Sequence, residues 1–498
     1  MRQLNLFFHR SYRYIVETVE IDLQSATLGL SLQSKPISIL LRLEVDLVFG
    51  PSKNACDHYI AKKNFYHATF SYTKEFFQAC AILLARSINR GMIEIRKAQT
   101  PRGKRVSVFL KSKAHHIIEA SDLALLPALI DPHVHFRIPG AEHKETWQSA
   151  ARAAIAGCVT TVLDMPNNEP ACSTKERLEA KKALIEKQLE LAHIPLRHFF
   201  YLGADQNHLQ EIPKAASQIV GIKIYMGSST GGLLVHEDEA LEKIFRIAAE
   251  NDVLIAVHAE DEKLLKEREE LYKSENHPAA HSLIRSSEVA ARAVKQAIFL
   301  AEKYKARLYI AHVSTKDELQ EIRKAKEKGL SVYAEACPHH LFLNDLAYHT
   351  LGTKALVNPP LRSTADMNAL WEAIADQTID TIGTDHAPHT IGEKMRPFRQ
   401  APSGFASIEI YLALLLNAYH QQKLSLEQIV SLTHTRPQEI FRLPPNDDAV
   451  LVDLEKIQVV DDRTLHTKAK WSPYHGWILK GWPRYTILAG ELFDVQNL

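Results

Sequence analysis

The chain has 498 residues, 24% of them charged, and its formal net charge at pH 7 is +1. This length can bury a large core and exceeds one barrel-sized domain, while the balanced charge and the lack of a basic tract argue against nucleic acid as a partner. No segment reaches the ~18 consecutive apolar residues of a membrane span, and five cysteines without zinc-knuckle spacing are typical of free thiols in a reducing compartment, here expected to be the cytoplasm.

Residues 1–91 carry no motif that assigns a function. They contain a strand-like alternation at 40–47 and a helix candidate at 72–88, and Arg10, Arg13 and Glu17 interrupt any apolar core of a signal peptide. Met92 is the only methionine between Met1 and Met165. Two alternatives stay open for this N-terminal extension, a mis-set translation start and a genuine added module.

From about residue 130, short runs rich in Val, Ile and Leu alternate with longer segments of helical period. Strand candidates lie near residues 128, 162, 200, 222, 255, 309, 333 and 382, and helix candidates at 146–156, 174–191, 236–250, 287–304, 315–328 and 364–375. Eight such repeats imply a parallel sheet and predict an α/β fold, a (β/α)8 TIM-type barrel over residues 128–440. A doubly wound open sheet is the alternative, but it would not bring five of these strand ends to one centre.

Side chains able to bind a metal stand at the ends of five predicted strands. Two of them are two residues apart on the first strand, so they point to the same face. Each alone has an ordinary explanation, because a strand-end histidine can bond a carbonyl and a strand-end aspartate can cap a helix. A lysine in an apolar strand is rarer, since burying its charge is costly. Together, at the barrel end where active sites lie, they favour a metal site; the residues are His133, His135, Lys223, His258, His312 and Asp385.

Seven segments carry a resemblance to a known family. They are Asp131-Pro-His-Val-His-Phe-Arg137, Met165-Pro-Asn-Asn168, Gly221-Ile-Lys-Ile-Tyr225, Ala311-His-Val-Ser314, Cys337-Pro-His-His-Leu341, Val357-Asn-Pro-Pro-Leu-Arg362 and Gly383-Thr-Asp-His-Ala-Pro-His389. With these motifs the chain from about Met92 onward resembles the dihydroorotases of the cyclic amidohydrolase superfamily. Strand-like runs before and after the barrel resemble the β-sandwich that amidohydrolases build from both ends of the chain, here from residues 92–127 and 441–498.

The resemblance implies two zinc ions per chain, bridged by Lys223 as a carbamate formed with carbon dioxide. One ion would be held by His133, His135 and Asp385, and the second by His258 and His312. Nitrogen and oxygen ligands with open positions suit catalytic Zn²⁺. A lysine amine, with an ordinary pKa of ~10.4, is protonated and is a poor ligand. Its carbamate, by contrast, is an anionic bridge with two oxygen atoms.

The implied reaction is the reversible cyclisation of N-carbamoyl-L-aspartate to L-dihydroorotate in pyrimidine biosynthesis. In the hydrolytic direction a metal-bound hydroxide would attack the ring amide, and Asp385 would carry the proton to the departing nitrogen. Arg137 would bind the substrate carboxylate as a planar fork, with Asn167 and His389 as further carboxylate contacts. Asn358 would bond the ring edge, although Asn-Pro is also an ordinary turn pair.

Two alternatives to this function are weighed. A hydantoinase, dihydropyrimidinase or allantoinase would share the metal centre, but Arg137 argues for a substrate carboxylate, which hydantoins and dihydrouracil lack. A catalytically inactive scaffold is disfavoured because every expected metal ligand is present. The expected partner is thus the small-molecule substrate, with no nucleic acid and no membrane, and a homo-oligomer stays open.

Overall fold

The computed structural model describes residues 5–7, 26–31, 38–43, 66–69, 91–229 and 232–498. The helix candidate at 72–88 lies outside these residues, as does the 44–47 part of the strand candidate at 40–47. The chain divides into two compact units, one of residues 1–94 and 109–116 and one of residues 95–108 and 117–498. In the first unit, four strands form one sheet in chain order, with bounds Asn5–Phe7, Ala26–Ser31, Ser38–Leu43 and Tyr66–Thr69.

The second unit is built on eight parallel strands, each hydrogen-bonded to the next in chain order. From first to eighth, these barrel strands are Leu129–Val134, Val159–Asp164, Arg197–Gly203, Gly221–Tyr225, Ile255–His258, Leu308–Ile310, Val332–Ala336 and Thr381–Ile382. Beyond the eighth strand, His386 bridges to Val134, and the His135 N–H donates to the His386 carbonyl at 2.8 Å. This contact brings the last strand back to the first, so the predicted (β/α)8 barrel is confirmed.

Helices alternate with these strands and begin at residues that cap them. Thr146, Thr174, Thr315 and Ser363 each accept a hydrogen bond from a backbone N–H in the first turn, which satisfies a donor that the helix itself cannot. The α-helices are Trp147–Ala156, Lys175–Ala192, Glu211–Ala215, Asp238–Glu250, Glu262–Leu271, Ala280–Ile284, Ser287–Tyr304, Lys316–Glu327, Pro338–Phe342, Ala347–Leu351, Thr364–Ala375, Ile391–Lys394, Tyr411–His420, Leu426–Val430 and Arg436–Ile440. A π-helical turn, Ser431–Thr435, joins the last two.

Two apolar layers fix the position of the barrel. Alternate strand residues point inward, where Leu163, Tyr201, Leu254 and Tyr309 pack together against Phe441. The intervening residues point outward and pack against the helices in the largest apolar cluster. This packing fills one end of the barrel interior. The polar side chains at the C-terminal ends of the strands occupy the other end.

A seven-stranded sheet draws on segments from both sides of the barrel. Ala124–Pro127 pairs with Ala449–Val459, which pairs with Ile478–Leu488, and Glu491–Asp494 forms the edge. The remaining strands are Met92–Gln99, Arg105–Lys111 and His116–Glu119, whose residues are divided between the two units. Two strand-like sequence runs, 477–479 and 486–488, are joined in the strand Ile478–Leu488, because the pairing runs on through Trp482 and Pro483 with a register shift.

Candidate metal centre at the C-terminal end of the barrel

Three side chains from the first and eighth strands meet at the barrel mouth. His133 lies in the first strand, His135 follows its end, and Asp385 follows the eighth strand. The Asp385 Oδ1 atom lies 3.0 Å from His135 Nε2 and 3.4 Å from His133 Nε2. Their ligand atoms all lie within 4.8 Å of one another, and all three residues are buried, so the group could hold a metal ion.

The outer nitrogen of each of these histidines contacts an oxygen atom. His133 Nδ1 is 2.8 Å from Glu335 Oε1, and His135 Nδ1 is 2.6 Å from Asn167 Oδ1. A neutral ring that donates its Nδ1–H to these oxygens turns the lone pair of Nε2 towards Asp385. In that tautomer, two lone pairs and a carboxylate converge on one point, as the ligands of a cation do. The donor set and its outer partners therefore fit a metal site.

A second pair of histidines comes from the fifth and sixth strands. His258 Nδ1 lies 2.9 Å from His312 Nε2, and His258 Nε2 lies 2.8 Å from Glu260 Oε2. Burial lowers the pKa of His258. Burial also holds the pKa of His312 well below its ordinary value, and the neighbouring His258 and Lys223 lower it further. Both rings are therefore neutral, which is the form that ligates metals.

Lys223, in the fourth strand, is 1% exposed, and its Nζ atom has no hydrogen-bond partner. Burial lowers the pKa of this amine to about 8, so roughly a tenth of it is uncharged at pH 7. An uncharged amine is the nucleophilic form that can add to carbon dioxide. This unpartnered amine lines the same pocket as the four histidines, so it is placed where a ligand shared by two metal ions could form.

The predicted site residues, apart from one, line a single pocket. The pocket-lining residues from the sequence prediction are His133, His135, Arg137, Asn167, Lys223, His258, His312, Asn358 and Asp385. His389 lies behind Arg137, where its ring nitrogens are 3.1 Å from Arg137 Nη2 and 3.0 Å from Lys144 Nζ. Its direct contact with a substrate carboxylate stays a prediction.

Arg137 is 7% exposed, and burial lowers the pKa of its guanidinium from the ordinary value. Its Nε–H donates to the Pro388 carbonyl at 3.1 Å, and its Nη2 lies 3.1 Å from His389 Nε2, so two of its three nitrogens already contact the protein. A buried guanidinium at the wall of a pocket is a strong site for a carboxylate.

The two predicted asparagines are held from behind. The loop that carries Asn167 is fixed by the buried Lys181, whose Nζ donates to the Met165 carbonyl at 2.9 Å and to Asn168 Oδ1 at 2.8 Å. Asn358 Oδ1 lies 2.9 Å from His281 Nε2. Each amide therefore has one defined orientation at the pocket wall.

Several residues that build the site were not predicted, above all Glu335 and Glu260. Glu335 is fully buried and contacts His133, the His312 N–H at 2.9 Å and the Tyr309 hydroxyl at 2.8 Å. Glu260 pairs with Arg285; although burial alone would raise its pKa, Arg285 and His258 lower it to about 2. The signal for both was in the sequence, since a glutamate inside or just after an apolar strand is as costly to bury as Lys223.

The backbone at three site residues is in the left-handed region, with φ of +66° at Arg137, +39° at His312 and +47° at Asp385. This conformation is uncommon for residues other than glycine, and it is concentrated at functional sites. At each of these residues the chain turns sharply after leaving a barrel strand, and each side chain lines the pocket.

Among the described residues, no helix is both long and apolar enough to cross a membrane. The loop at 227–232 follows the fourth strand. Its sequence, Gly227-Ser-Ser-Thr-Gly-Gly232, lacks the Lys-Ser/Thr ending of a phosphate-binding P-loop and predicts a mobile loop that closes over a substrate. Ser228 is anchored to Glu262, with its N–H and hydroxyl each 2.6 Å from a carboxylate oxygen, and residues 230 and 231 lie outside the described chain. Closure of this loop stays a prediction.

Comparison with known proteins places these features in a family. Residues 124–446 match the family model described as "Amidohydrolase family". The dihydroorotases of Bacillus subtilis and Halobacterium salinarum are 35% and 36% identical over 76% and 74% of this chain, and the matches cover 88% and 86% of those proteins. The dihydroorotase of Methanosphaera stadtmanae is 32% identical over 76% of this chain and 88% of its own length.

Solved structures agree on the architecture. The L-hydantoinase from Arthrobacter aurescens superposes with a TM-score of 0.76 at 24% identity, covering 81% of this chain and 96% of its own. The dihydropyrimidinase from Brevibacillus agri gives a TM-score of 0.72 at 25% identity, covering 80% and 94%. Because the family model spans most of the chain and the dihydroorotases match along most of their length, the chain belongs to the amidohydrolase family, among the sequences related to dihydroorotases.

Proposed function

We propose that this chain is a dihydroorotase, which interconverts N-carbamoyl-L-aspartate and L-dihydroorotate. The observation that carries the proposal is the buried guanidinium of Arg137 in the same pocket as the cluster of histidines and Asp385. Dihydroorotate is a cyclic amide with a carboxylate on its ring, so one molecule satisfies both features. The similarity to dihydroorotases supports the same assignment.

The proposal includes two zinc ions. His133, His135 and Asp385 would hold one, His258 and His312 the other, and Lys223 would bridge them as a carbamate. When bound, the metals supply a water molecule that loses its proton near neutral pH and an electrophile for the amide oxygen. The support is the set of facing ring nitrogens and the unpartnered amine described above.

Asp385 is the group that moves the proton. During hydrolysis, the oxygen of water forms a bond to the amide carbon, and the bond from that carbon to the ring nitrogen breaks. The Asp385 carboxylate accepts the proton that the water loses and delivers it to the departing nitrogen, so the net charge of the site is unchanged. Cyclisation follows the same steps in reverse.

Arg137 orients the substrate through its carboxylate. With this end of the ring fixed, the amide on the opposite side faces the histidine cluster, and a fixed orientation lowers the barrier before any bond changes. A hydantoinase would leave the buried guanidinium without an anionic partner, because hydantoin and dihydrouracil carry no carboxylate. The likeness to solved hydantoinases reflects the shared fold.

The proposal is tested with the full chain after loading with zinc. Hydrolysis of dihydroorotate is measured beside hydantoin and dihydrouracil, with metal content determined on the same sample. We expect two zinc ions per chain and a kcat/KM for dihydroorotate that far exceeds those for the other rings. Preference for a ring without a carboxylate would overturn the assignment, and a metallated but inactive protein would favour the scaffold alternative.

A further inference from the structure

Two of the pocket-lining side chains in the described chain end in a buried polar atom without a hydrogen-bond partner. They are the amine of Lys223 and the hydroxyl of Tyr225. The carbamate proposed above accounts for the first. Nothing within the described residues accounts for the second, and a buried hydroxyl without a partner is costly. A group placed in a pocket at such a cost gains a partner when a ligand binds.

Tyr225 is held rigidly at the end of the fourth barrel strand. It is 5% exposed and two residues from Lys223, so both side chains point to the same face of the sheet. Its ring lies 5.3 Å from the Lys223 amine and 5.9 Å from the His258 ring, measured to the ring centre. Its carbonyl accepts from the Val235 N–H at 2.9 Å. The phenol therefore has a fixed place beside the reacting centre.

The charges around Tyr225 indicate what its hydroxyl would meet. Asp385 and Arg137 line the same pocket as the phenol. Arg137 has already committed Nε to the Pro388 carbonyl, and its Nη2 atom faces His389 at 3.1 Å. A carboxylate accepts about four hydrogen bonds, so the Nη groups alone leave part of its capacity for a further donor.

We propose that the Tyr225 hydroxyl donates a hydrogen bond to the substrate carboxylate that Arg137 binds. The inference rests on the proposed function and adds a residue that determines specificity: an uncharged donor that completes the carboxylate site. Phenylalanine would fill the same space and stack equally well against His258, but it would leave that carboxylate oxygen without a partner.

A matched control exists in the chain. The hydroxyl of Tyr474 is also buried without a hydrogen-bond partner, yet Tyr474 does not belong to the residues lining the pocket. What distinguishes Tyr225 from Tyr474 is therefore not the missing partner but its place in the pocket that Arg137 also lines. Tyr225→Phe and Tyr474→Phe make the same chemical change, and only the first touches the proposed carboxylate site.

The test compares both variants with the wild-type enzyme in zinc, using dihydroorotate as substrate. Because the lost bond is to a charged group, Tyr225→Phe should lower kcat/KM by about 10- to 100-fold, with metal content and melting temperature unchanged. Tyr474→Phe should stay within about twofold of wild type. In an Arg137→Met background, adding Tyr225→Phe should cost less than about threefold, since the carboxylate has already lost its main partner.

The possible outcomes separate the two proposals. A wild-type protein that does not hydrolyse dihydroorotate refutes the proposed function, and this inference falls with it. An active wild type with an equally active Tyr225→Phe variant refutes only the role of Tyr225. If the losses from Tyr225→Phe and Arg137→Met multiply in full, the hydroxyl does not act on the carboxylate that Arg137 binds, and the inference is overturned.

Discussion

Glu335 offers the sharpest test of how the protein would tune the proposed metal centre. The change Glu335→Gln keeps the shape of the side chain and removes its charge. The amide oxygen can replace Oε1, which contacts His133 Nδ1 and the His312 N–H, while the amide nitrogen can donate to the Tyr309 hydroxyl in place of Oε2. Tyr309 can then donate to Thr381 Oγ1, which lies 2.7 Å away. The network therefore survives, and the main loss is the negative charge behind His133.

The size of the effect follows from that loss. An ionised acceptor raises the basicity of the imidazole that ligates the metal, and removing such outer partners typically weakens metal binding by about 10- to 100-fold. A hydrogen bond to a charged group contributes about 1.5–3 kcal/mol, and losing that free energy would weaken zinc binding by a similar factor. Although burial raises the pKa of Glu335, His133 and its other hydrogen-bond donors lower it below its ordinary value. The metal-free variant should therefore melt somewhat lower than metal-free wild type at neutral pH, and zinc affinity is compared below both melting temperatures.

The measurement is zinc affinity by competition with a chelator, on wild type, Glu335→Gln and the control Glu318→Gln. Glu318 is 2% exposed and accepts hydrogen bonds from Ser314 and Thr315 at the start of the helix Lys316–Glu327. The control therefore makes the same change at a buried carboxylate that caps a helix. Only Glu335→Gln should lose affinity. Wild-type affinity in Glu335→Gln would refute the reasoning, and equal losses in both variants would show a general effect of removing a buried charge.

Four further predictions test the chemistry and the chain boundaries. Lys223→Ala should bind one zinc ion instead of two and lose most activity, with partial rescue by a short-chain carboxylic acid; two ions and full turnover would exclude the carbamate. Asp385→Asn should lower kcat by at least the ~10²- to 10⁴-fold typical of proton transfer, and near-normal turnover in a fully metallated sample would exclude the shuttle. Arg137→Met should lower kcat/KM for dihydroorotate by ~30- to several-thousand-fold, whereas an equal loss on dihydrouracil would indicate a structural role. A chain that begins at Met92 should match the full chain in melting temperature, metal content and kcat/KM, because every proposed site residue lies between His133 and His389; an insoluble or inactive short chain would show that residues 1–91 are a required module.

The sequence predicted the barrel and the residues at its mouth because both leave local signals. Apolar runs of strand length mark the strands, and a polar residue at the end of such a run is visible without any knowledge of its neighbours. Lys223 stood out because a lysine in an apolar strand is costly to bury. The same argument applies to Glu335 within Val332–Ala336, so this residue could have been predicted as part of the site.

The pairings could not be predicted in the same way. Glu335 and His133 are 202 residues apart in the chain, and they meet only because the seventh and first strands belong to one closed barrel. The position of His389 behind Arg137, rather than at the pocket wall, depends on the path of the loop after the eighth strand. Sequence patterns predict which side chains end a strand, but the partner of each depends on the whole barrel.

The backbone conformations of three site residues are ones that their residue types rarely adopt, so the sequence could not predict them. Arg137, His312 and Asp385 adopt left-handed backbone angles, at a cost of roughly 1–2 kcal/mol for residues other than glycine, less for aspartate. Gly383 shows the complementary constraint, since a Cβ atom there would lie 2.4 Å from Glu335 Oε2. Glycine is therefore required at position 383, where a side chain would collide with the carboxylate that contacts His133. At the three positive-φ positions, larger residues adopt a strained backbone because their side chains line the pocket. Since packing of the barrel provides the free energy for both, the site owes its geometry to the fold rather than to the propensities of its own residues.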